Sequence, residues 1–119
     1  MKNRNLFCRL RTHRRAWALS QRELAELLGG RSPTHIARIE AGKRLPSLEI
    51  ALACQVLFGV PPETMFPNVY SEIEERMMQN IYRFREGLLQ TTSPSAVRKQ
   101  KLMEDALQRA LIRLNTTGV

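Results

Sequence analysis

The sequence predicts an all-α protein in which five short helices come first and two longer amphipathic helices follow. Apolar residues recur every three or four positions along most of the 119 residues, which is the period of an α-helix. Aromatic residues make up only 6% of the chain and runs of β-branched residues are absent, so strands are not favoured. Helix-start signals, in which a serine or proline precedes an apolar run, recur at short intervals in the first half.

The chain is strongly basic, and the charge is concentrated in its first part. The formal net charge is +8 and the isoelectric point is about 10.5. Residues 1–69 hold 11 Lys and Arg against 5 Asp and Glu, whereas residues 70–119 hold 8 against 6. A charge of this size favours a polyanionic partner, nucleic acid ahead of an anionic membrane, and its distribution places that partner on the first part of the chain.

Composition and spacing argue against catalysis. Cys8 and Cys54 form no CxxC pair and have no histidine nearby, so a zinc site is not expected, and both thiols should be reduced. His13 and His35 have no carboxylate or cysteine at catalytic spacing, and no GxxxxGK[ST] phosphate loop occurs. No signal peptide or apolar run of spanning length is visible. We therefore expect a cytoplasmic protein without enzyme activity, metal or cofactor.

The first two helices are predicted from spacing and capping. Helical spacing favours a first helix over residues 4–17, whose periodic positions are Leu6, Phe7, Leu10, Arg14 and Trp17. Trp17 is expected in the core, and Cys8 is expected to be exposed. The second helix should begin at Ser20, because Ser20 and Glu23 form a capping box in which each side chain bonds the other residue's amide.

The next three helices follow from glycine, serine and proline. Gly29 can adopt the left-handed conformation that ends the second helix, while Ser32 and Pro33 suit the N-cap and first position of the third. A fourth helix is predicted between residues 47 and 59, with apolar positions that include Leu48, Leu52 and Leu57, and Cys54 is expected to be buried there. A short fifth turn covers residues 63–66.

Two longer amphipathic helices are predicted over residues 70–90 and 95–115. Neither can bury its apolar stripe alone, so the stripes either fold back within one chain or meet their copies in a second chain. We expect the second arrangement, a homodimer, with residues 1–68 as one domain and 69–119 as a dimerising extension. The predicted dimerisation residues are Ile73, Met77, Ile81, Phe84, Leu88, Met103, Leu107, Leu111 and Leu114.

Residues 20–40 carry the most specific motif in the chain. Two short helices are joined by a tight glycine turn, and the second contains Ile-x-x-Ile-Glu. In a helix-turn-helix the second helix enters the DNA major groove, so its first residues should be small or polar rather than core-forming. Ser32, Pro33, Thr34 and His35 meet this requirement.

The chain resembles the five-helix DNA-binding domain of Cro/CI-type (Xre, lambda repressor-like) regulators over residues 6–66. The family pattern contains Leu-Arg-x-x-Arg, Leu-Ser-Gln-x-Glu-Leu-Ala and Ile-x-x-Ile-Glu-x-Gly-Lys-x-x-Pro. The matching residues are Leu10, Arg11, Arg14, Leu19, Ser20, Gln21, Glu23, Leu24, Ala25, Gly29, Ile36, Ile39, Glu40, Gly42, Lys43, Pro46, Gly59 and Val60. The resemblance implies a bacterial or phage-encoded, nucleoid-associated regulator, with a structural ion pair between Arg14 and Glu40.

Two departures from the family pattern bear on geometry. The family usually has one residue, often apolar, between the turn glycine and the Ser/Thr cap, whereas this chain has Gly30 and Arg31. The turn is therefore one residue longer. Ala18 also replaces the glycine that usually precedes Leu-Ser-Gln.

The resemblance implies a set of DNA-contacting residues. Gln21 resembles the family's phosphate clamp at the start of the second helix. Arg38 lies on the exposed face of the third helix and is long enough to bind guanine O6 and N7 through two hydrogen bonds. Lys43 and Arg44 follow that helix, where the chain passes the sugar–phosphate backbone. The complete set is Gln21, Arg31, Ser32, Pro33, Thr34, His35, Arg38, Lys43 and Arg44.

These expectations describe a sequence-specific regulator of transcription that binds double-stranded DNA. We expect a repressor that occupies a palindromic operator as a homodimer and acts on polymerase by position. The alternative is the antitoxin of a toxin–antitoxin pair, in which the C-terminal helices bind the toxin. A third interpretation is an interaction module that does not bind DNA. The basic first half and the polar start of the third helix disfavour it.

Overall fold

The computed structural model describes residues 6–117, which form seven α-helices and no strand. The predicted all-α class, with five short helices before two longer ones, is confirmed. The chain divides into two compact units between Glu72 and Ile73, and α6 contributes to both. The helices are α1 (Leu10–Ala16), α2 (Gln21–Leu27), α3 (Pro33–Glu40), α4 (Leu48–Phe58), α5 (Pro62–Met65), α6 (Pro67–Leu88) and α7 (Pro94–Thr117).

The N-terminal unit is built around one apolar core. Each of its five short helices contributes at least one side chain that is no more than 1% exposed. Burial of a large apolar side chain contributes roughly 1.5–3 kcal/mol to the free energy of unfolding. Val69, at the start of α6, also packs against this core. The most enclosed side chains are Leu10, Leu24, Ile36, Ile39, Ile50, Cys54 and Met65.

The predicted first helix is too long at its N-terminal end. α1 begins at Leu10, whereas the prediction began at residue 4, which lies outside the described residues together with residue 5. Leu6 and Cys8 are buried while Phe7 is exposed, an alternation with the period of an extended chain rather than a helix. The predicted helix start was wrong because the residues at 6, 7, 10, 14 and 17 also fit a helical period.

Backbone contacts hold this extended segment in place. The Arg9 amide donates to the Met65 carbonyl oxygen at 2.9 Å, and the Cys8 thiol donates to the Ile39 carbonyl oxygen at 3.5 Å. Gly42 lies so close that a Cβ added to it would stand 3.2 Å from backbone carbon of the segment. Cys8 is therefore buried, and its predicted exposure is wrong.

Serine caps set the starts of α2, α3 and α4. The hydroxyl oxygens of Ser20, Ser32 and Ser47 each accept the amide of the residue three positions later, at 3.0–3.2 Å. At α2 the Glu23 carboxylate also accepts the Ser20 amide at 2.8 Å, so the predicted capping box is confirmed. These hydrogen bonds lower the pKa of the Glu23 carboxyl.

Helices α1, α2 and α3 all end in a left-handed residue, at Ala18, Gly29 and Gly42. In each case the amide of that residue donates to the carbonyl three residues earlier, and the next amide donates to the carbonyl five residues earlier, at 2.9–3.2 Å. This is the Schellman arrangement, which satisfies the last carbonyls of a helix. Glycine adopts it without steric cost, but Ala18 adopts it at φ 57° with a side chain present.

Helix α4 buries a different face from the one predicted. Ile50, Ala51 and Cys54 point into the core, whereas the leucines predicted as its apolar positions are 40–74% exposed. Nearly every residue of this helix is apolar, so periodicity could not choose the face. The outward residues are Leu48, Leu52, Val56 and Leu57.

Trp17 is also wrongly placed by the sequence argument. It was expected in the core, but 70% of the residue is exposed. Trp17 is the C-cap of α1, and the chain turns through left-handed Ala18 immediately after it. A position at a helix end no longer follows the helical period that the prediction assumed.

In the C-terminal unit, α7 runs antiparallel to α6. Arg113, near the end of α7, donates from Nε to a carboxylate oxygen of Glu74 near the start of α6 at 2.8 Å. At the other end, the Gln100 side-chain amide donates to the Leu88 carbonyl oxygen at 3.0 Å. The hydrogen bonds from Arg113 lower the pKa of the Glu74 carboxyl. Contacts at both ends define a helical hairpin.

This hairpin divides the predicted dimerisation residues into two groups. Ile81 and Leu107 are buried, and Leu88 and Met103 are partly buried. Folding back within one chain therefore accounts for part of the two stripes. The remaining five residues are 43–52% exposed: Ile73, Met77, Phe84, Leu111 and Leu114.

Candidate nucleic-acid interface

The turn between α2 and α3 fixes where α3 begins. The amides of Gly30 and Arg31 both donate to the Ala25 carbonyl oxygen of α2, at 3.1 Å each. The additional turn residue is therefore bonded back to α2. Ser32 follows at once as the N-cap of α3, so the length of the turn and the start of the next helix are both set by hydrogen bonds.

Helix α3 has one face in the core and one polar face outside. Ile36 and Ile39 are at most 1% exposed and anchor it. On the opposite side His35 is partly buried, and the other predicted contact residues of this segment are exposed. These exposed residues are Ser32, Pro33, Thr34 and Arg38. A polar start on a helix that is anchored by its other face meets the requirement for insertion into a groove.

Three arginines from three different segments act electrostatically on His35. Burial lowers the pKa of the His35 imidazole, and the charges of Arg44, Arg31 and Arg38 lower it further. The turn, α3 and the loop after it therefore each carry a guanidinium whose charge acts on the same imidazole. We call these four residues the His35 cluster. It concentrates positive charge at the exposed start of α3.

Lys43 and Arg44 are held at the end of α3 by the Schellman hydrogen bonds. The Lys43 amide donates to the Arg38 carbonyl oxygen at 2.9 Å, which fixes the chain direction after the helix. Both side chains are exposed. The predicted phosphate contacts of this loop therefore have cations in a defined place, and one of them, Arg44, belongs to the His35 cluster.

Gln21 lies at the first position of α2, and its side chain turns inward. Its amide nitrogen donates to Glu40 Oε1 at 3.2 Å. The donor that a phosphate clamp would need is thus shared with an internal carboxylate. Gln21 remains a predicted DNA contact, with Glu40 as its partner in the free protein.

Arg14 and Glu40 form a buried ion pair that joins α1 to α3. Arg14 Nε and Nη2 donate to the two carboxylate oxygens at 2.6 and 3.0 Å, and Arg14 Nη1 donates to the Leu19 carbonyl oxygen at 2.9 Å. The Glu40 side chain is fully enclosed, and Arg11 adds a contact at 3.4 Å. Burial raises the pKa of Glu40, but hydrogen bonds from Arg14 and Gln21 outweigh it and lower the pKa.

Arg31 has a second neighbour that the sequence did not reveal. Its Nη2 lies 3.6 Å from Glu49 Oε1 near the start of α4, with side chains 34% and 76% exposed. Arg31 Nε is buried and has no hydrogen-bond acceptor within residues 6–117. No local pattern connects residues 18 positions apart on different elements, so Glu49 was missed.

Other chemistry has no visible site in the described part of the chain. Cys8 and Cys54 are buried free thiols, and burial raises the pKa of Cys54 to about 12. Within residues 6–117, no group of three or more His, Cys, Asp or Glu side chains is placed to hold a metal ion. In the same range no helix combines the length and apolarity needed to cross a membrane.

Helices α2 and α3 are joined by a glycine turn, and α3 has a polar exposed start with cations from three segments beside it. This is the arrangement of a DNA-binding helix-turn-helix. The chain matches the family model described as a helix-turn-helix domain over residues 6–65, which is half of its length and includes α1 to α5. It therefore belongs to the helix-turn-helix family of the Cro/CI (Xre) type, as its sequence resemblance implied. No curated protein and no solved structure gave a match.

Proposed function

We propose that the protein is a sequence-specific regulator of transcription, a repressor, that inserts the start of α3 into the major groove of double-stranded DNA. The observation that carries the proposal is the exposed, polar start of α3, a helix whose other face is anchored in the core by Ile36 and Ile39. Arg31, Arg38 and Arg44, which come from three segments, add positive charge on the side of this helix where His35 lies. A concentration of positive charge at such a helix start attracts a polyanion such as the DNA backbone.

The residues divide into those that read bases and those that hold the backbone. Arg38 is one turn into α3 and exposed, so its guanidinium can bind guanine O6 and N7. Ser32 and Thr34 start the helix and face the groove. Lys43 and Arg44 lie beyond the helix and bind phosphates, which position the domain without reading sequence.

The proposed operator is a near-palindrome bound by a homodimer. One helix reads only a few base pairs, whereas two domains related by a two-fold axis read two half-sites about 10–10.5 base pairs apart, or a multiple of that spacing. Support for a second copy comes from the C-terminal unit, where Ile73, Met77 and Phe84 on α6 are each 52% exposed. Their spacing puts all three on one face of α6, and a contiguous exposed apolar surface commonly marks a protein contact.

Salt dependence tests the proposal on random-sequence duplex DNA. Phosphate contacts release counterions, so log affinity should fall with log salt at a slope on the order of −0.9 per phosphate neutralised. Lys43→Ala should weaken binding to every sequence and reduce the slope by about one contact. Arg98→Ala on α7 removes the same charge elsewhere and should leave the slope almost unchanged. An affinity that does not change with salt would contradict DNA binding.

An antitoxin is the second candidate function, and the same exposed apolar residues of the C-terminal unit favour it. They offer a surface to a toxin as well as to a second copy. Sedimentation of the pure chain separates the two: a stable dimer supports the regulator, and a monomer that is captured by the product of an adjacent small gene supports the antitoxin.

A further inference from the structure

Arg31 is held in the free protein by an acid that lies beside the proposed DNA site. Glu49 belongs to the first turn of α4, and its Oε1 is 3.6 Å from Arg31 Nη2. The carboxylate is 76% exposed, so solvent screens the pair and the attraction is weak. Arg31 is also one of the two residues, with Gly30, that stand where the family pattern has a single residue.

The position that Arg31 occupies leaves part of its guanidinium unsatisfied. Its Nε is buried without an acceptor among the described residues, while Nη2 faces Glu49 at a distance longer than a good hydrogen bond. A guanidinium bonds best when Nε and a terminal nitrogen meet two oxygens of one anion, as a phosphate provides. Leaving Glu49 for a phosphate would therefore give Arg31 two strong acceptors in place of one weak one.

The charges around this pair also favour such an exchange. Arg38 and Arg44 act electrostatically on the same His35 imidazole as Arg31, so all three add to the positive charge on this side of the domain. Glu40, the acid within α3, is committed to Arg14 inside the domain. Glu49 is thus an acid at the edge of a cationic surface, where it competes with any polyanion for Arg31.

We propose that Glu49 is an internal competitor of DNA: it holds Arg31 in the free protein, and binding transfers Arg31 from Glu49 to a backbone phosphate. Glu49 thereby sets the affinity of the site, and Arg31 becomes a phosphate contact supplied by the longer turn. This inference rests on the proposed function, since it assigns the regulation of the same site.

A double-mutant cycle on the full chain tests the exchange with a random-sequence duplex at low salt. Glu49→Gln should raise affinity about two- to fivefold, the effect of removing one weak exposed ion pair. In the Arg31→Ala background the gain should disappear. Glu63→Gln, which removes an exposed acid from α5 in the same unit, controls for net charge and should give a smaller gain that is equal in both backgrounds.

A spectroscopic readout makes the test independent of affinity. The Arg31 Nε–H signal in a ¹H–¹⁵N spectrum should shift when DNA is added, because this nitrogen gains an acceptor. Thermal unfolding of each variant checks that the fold is retained, which is expected because both acids are exposed.

The outcomes separate this inference from the proposed function. If wild-type binding depends on Lys43 but Glu49→Gln gains as much without Arg31, or no more than Glu63→Gln, the exchange is overturned and DNA binding stands. A static Arg31 signal, or Arg31→Ala binding as tightly as wild type, overturns it equally. If wild type does not bind DNA at all, the proposed function and this inference fail together.

Discussion

At the scale of single residues, Ala18 shows how a departure from a family pattern becomes a measurable strain. The residue ends α1 with φ 57°, in the region where a Cβ crowds the following carbonyl. Its amide and that of Leu19 still close the Schellman hydrogen bonds at 3.0 and 3.1 Å. All hydrogen bonds of the turn are therefore formed, and the conformational strain at Ala18 comes from its methyl side chain.

Ala18→Gly should stabilise the protein by about 0.5–1 kcal/mol, because relief of the left-handed strain exceeds the added entropy of glycine in the unfolded chain. Urea unfolding measures the change. Ala16→Gly, the same substitution at the last residue of α1, where φ is not left-handed, is the control and should destabilise by up to about 0.5–1 kcal/mol. Destabilisation of equal size by both changes would show that Ala18 is not strained.

At the scale of elements, the sequence predicted helix starts from capping residues. It predicted the buried face of a helix only where the apolar pattern was unambiguous. Ser20, Ser32 and Ser47 identified three helix starts because their hydrogen bonds are local. The start of α1 was missed since the alternation of Leu6 and Cys8 depends on contacts with residues far along the chain. The face of α4 was missed for a similar reason: tertiary packing selected among residues that are nearly all apolar.

The α1–α3 junction gives the prediction at this scale. Glu40→Gln leaves the Arg14 guanidinium buried without its counter-charge, and should lower the free energy of unfolding by about 3 kcal/mol at neutral pH. Because the folded-state pKa of Glu40 is lowered, its contribution is full above the unfolded-state pKa and is lost as pH falls through the folded-state pKa. Wild type and Glu40→Gln should therefore converge in stability at acidic pH.

Urea unfolding over a pH series checks both statements. Asp105→Asn removes an acid from an exposed pair with Lys101 on α7 and serves as the control, with little change expected at any pH. An equally small effect of Glu40→Gln would mean that the ion pair does not hold α1 against α3.

At the scale of the whole molecule, the sequence named the predicted DNA contacts one by one but could not give their arrangement. The resemblance implied Arg31, Arg38 and Arg44 individually, and only the fold shows that the charges of all three act on His35. Glu49 carried no signal of its own, because its contact with Arg31 depends on where α4 packs. The burial of part of each C-terminal stripe likewise depends on the antiparallel hairpin.

The predicted dimer is tested by charge placed on two exposed apolar surfaces of the full chain. Met77→Glu on α6 should dissociate a dimer formed through the C-terminal unit, because a carboxylate would be buried in the interface. Leu52→Glu on α4 is the matched control in the other unit and should leave the dimer intact. Sedimentation at micromolar concentration decides. A monomeric wild type, or dissociation by Leu52→Glu alone, would contradict the assignment.

Selection of bound sites from random DNA, run in parallel with wild type and Arg38→Ala, tests the central claim most directly, because it reads sequence recognition through α3. We predict that wild type selects a near-palindrome with two half-sites. Arg38→Ala should lose the preference at one base pair in each half-site, at a cost of about 1–3 kcal/mol on the wild-type site. Recovery of the same sites with the same affinity by Arg38→Ala would contradict the assignment of α3 as the reading helix.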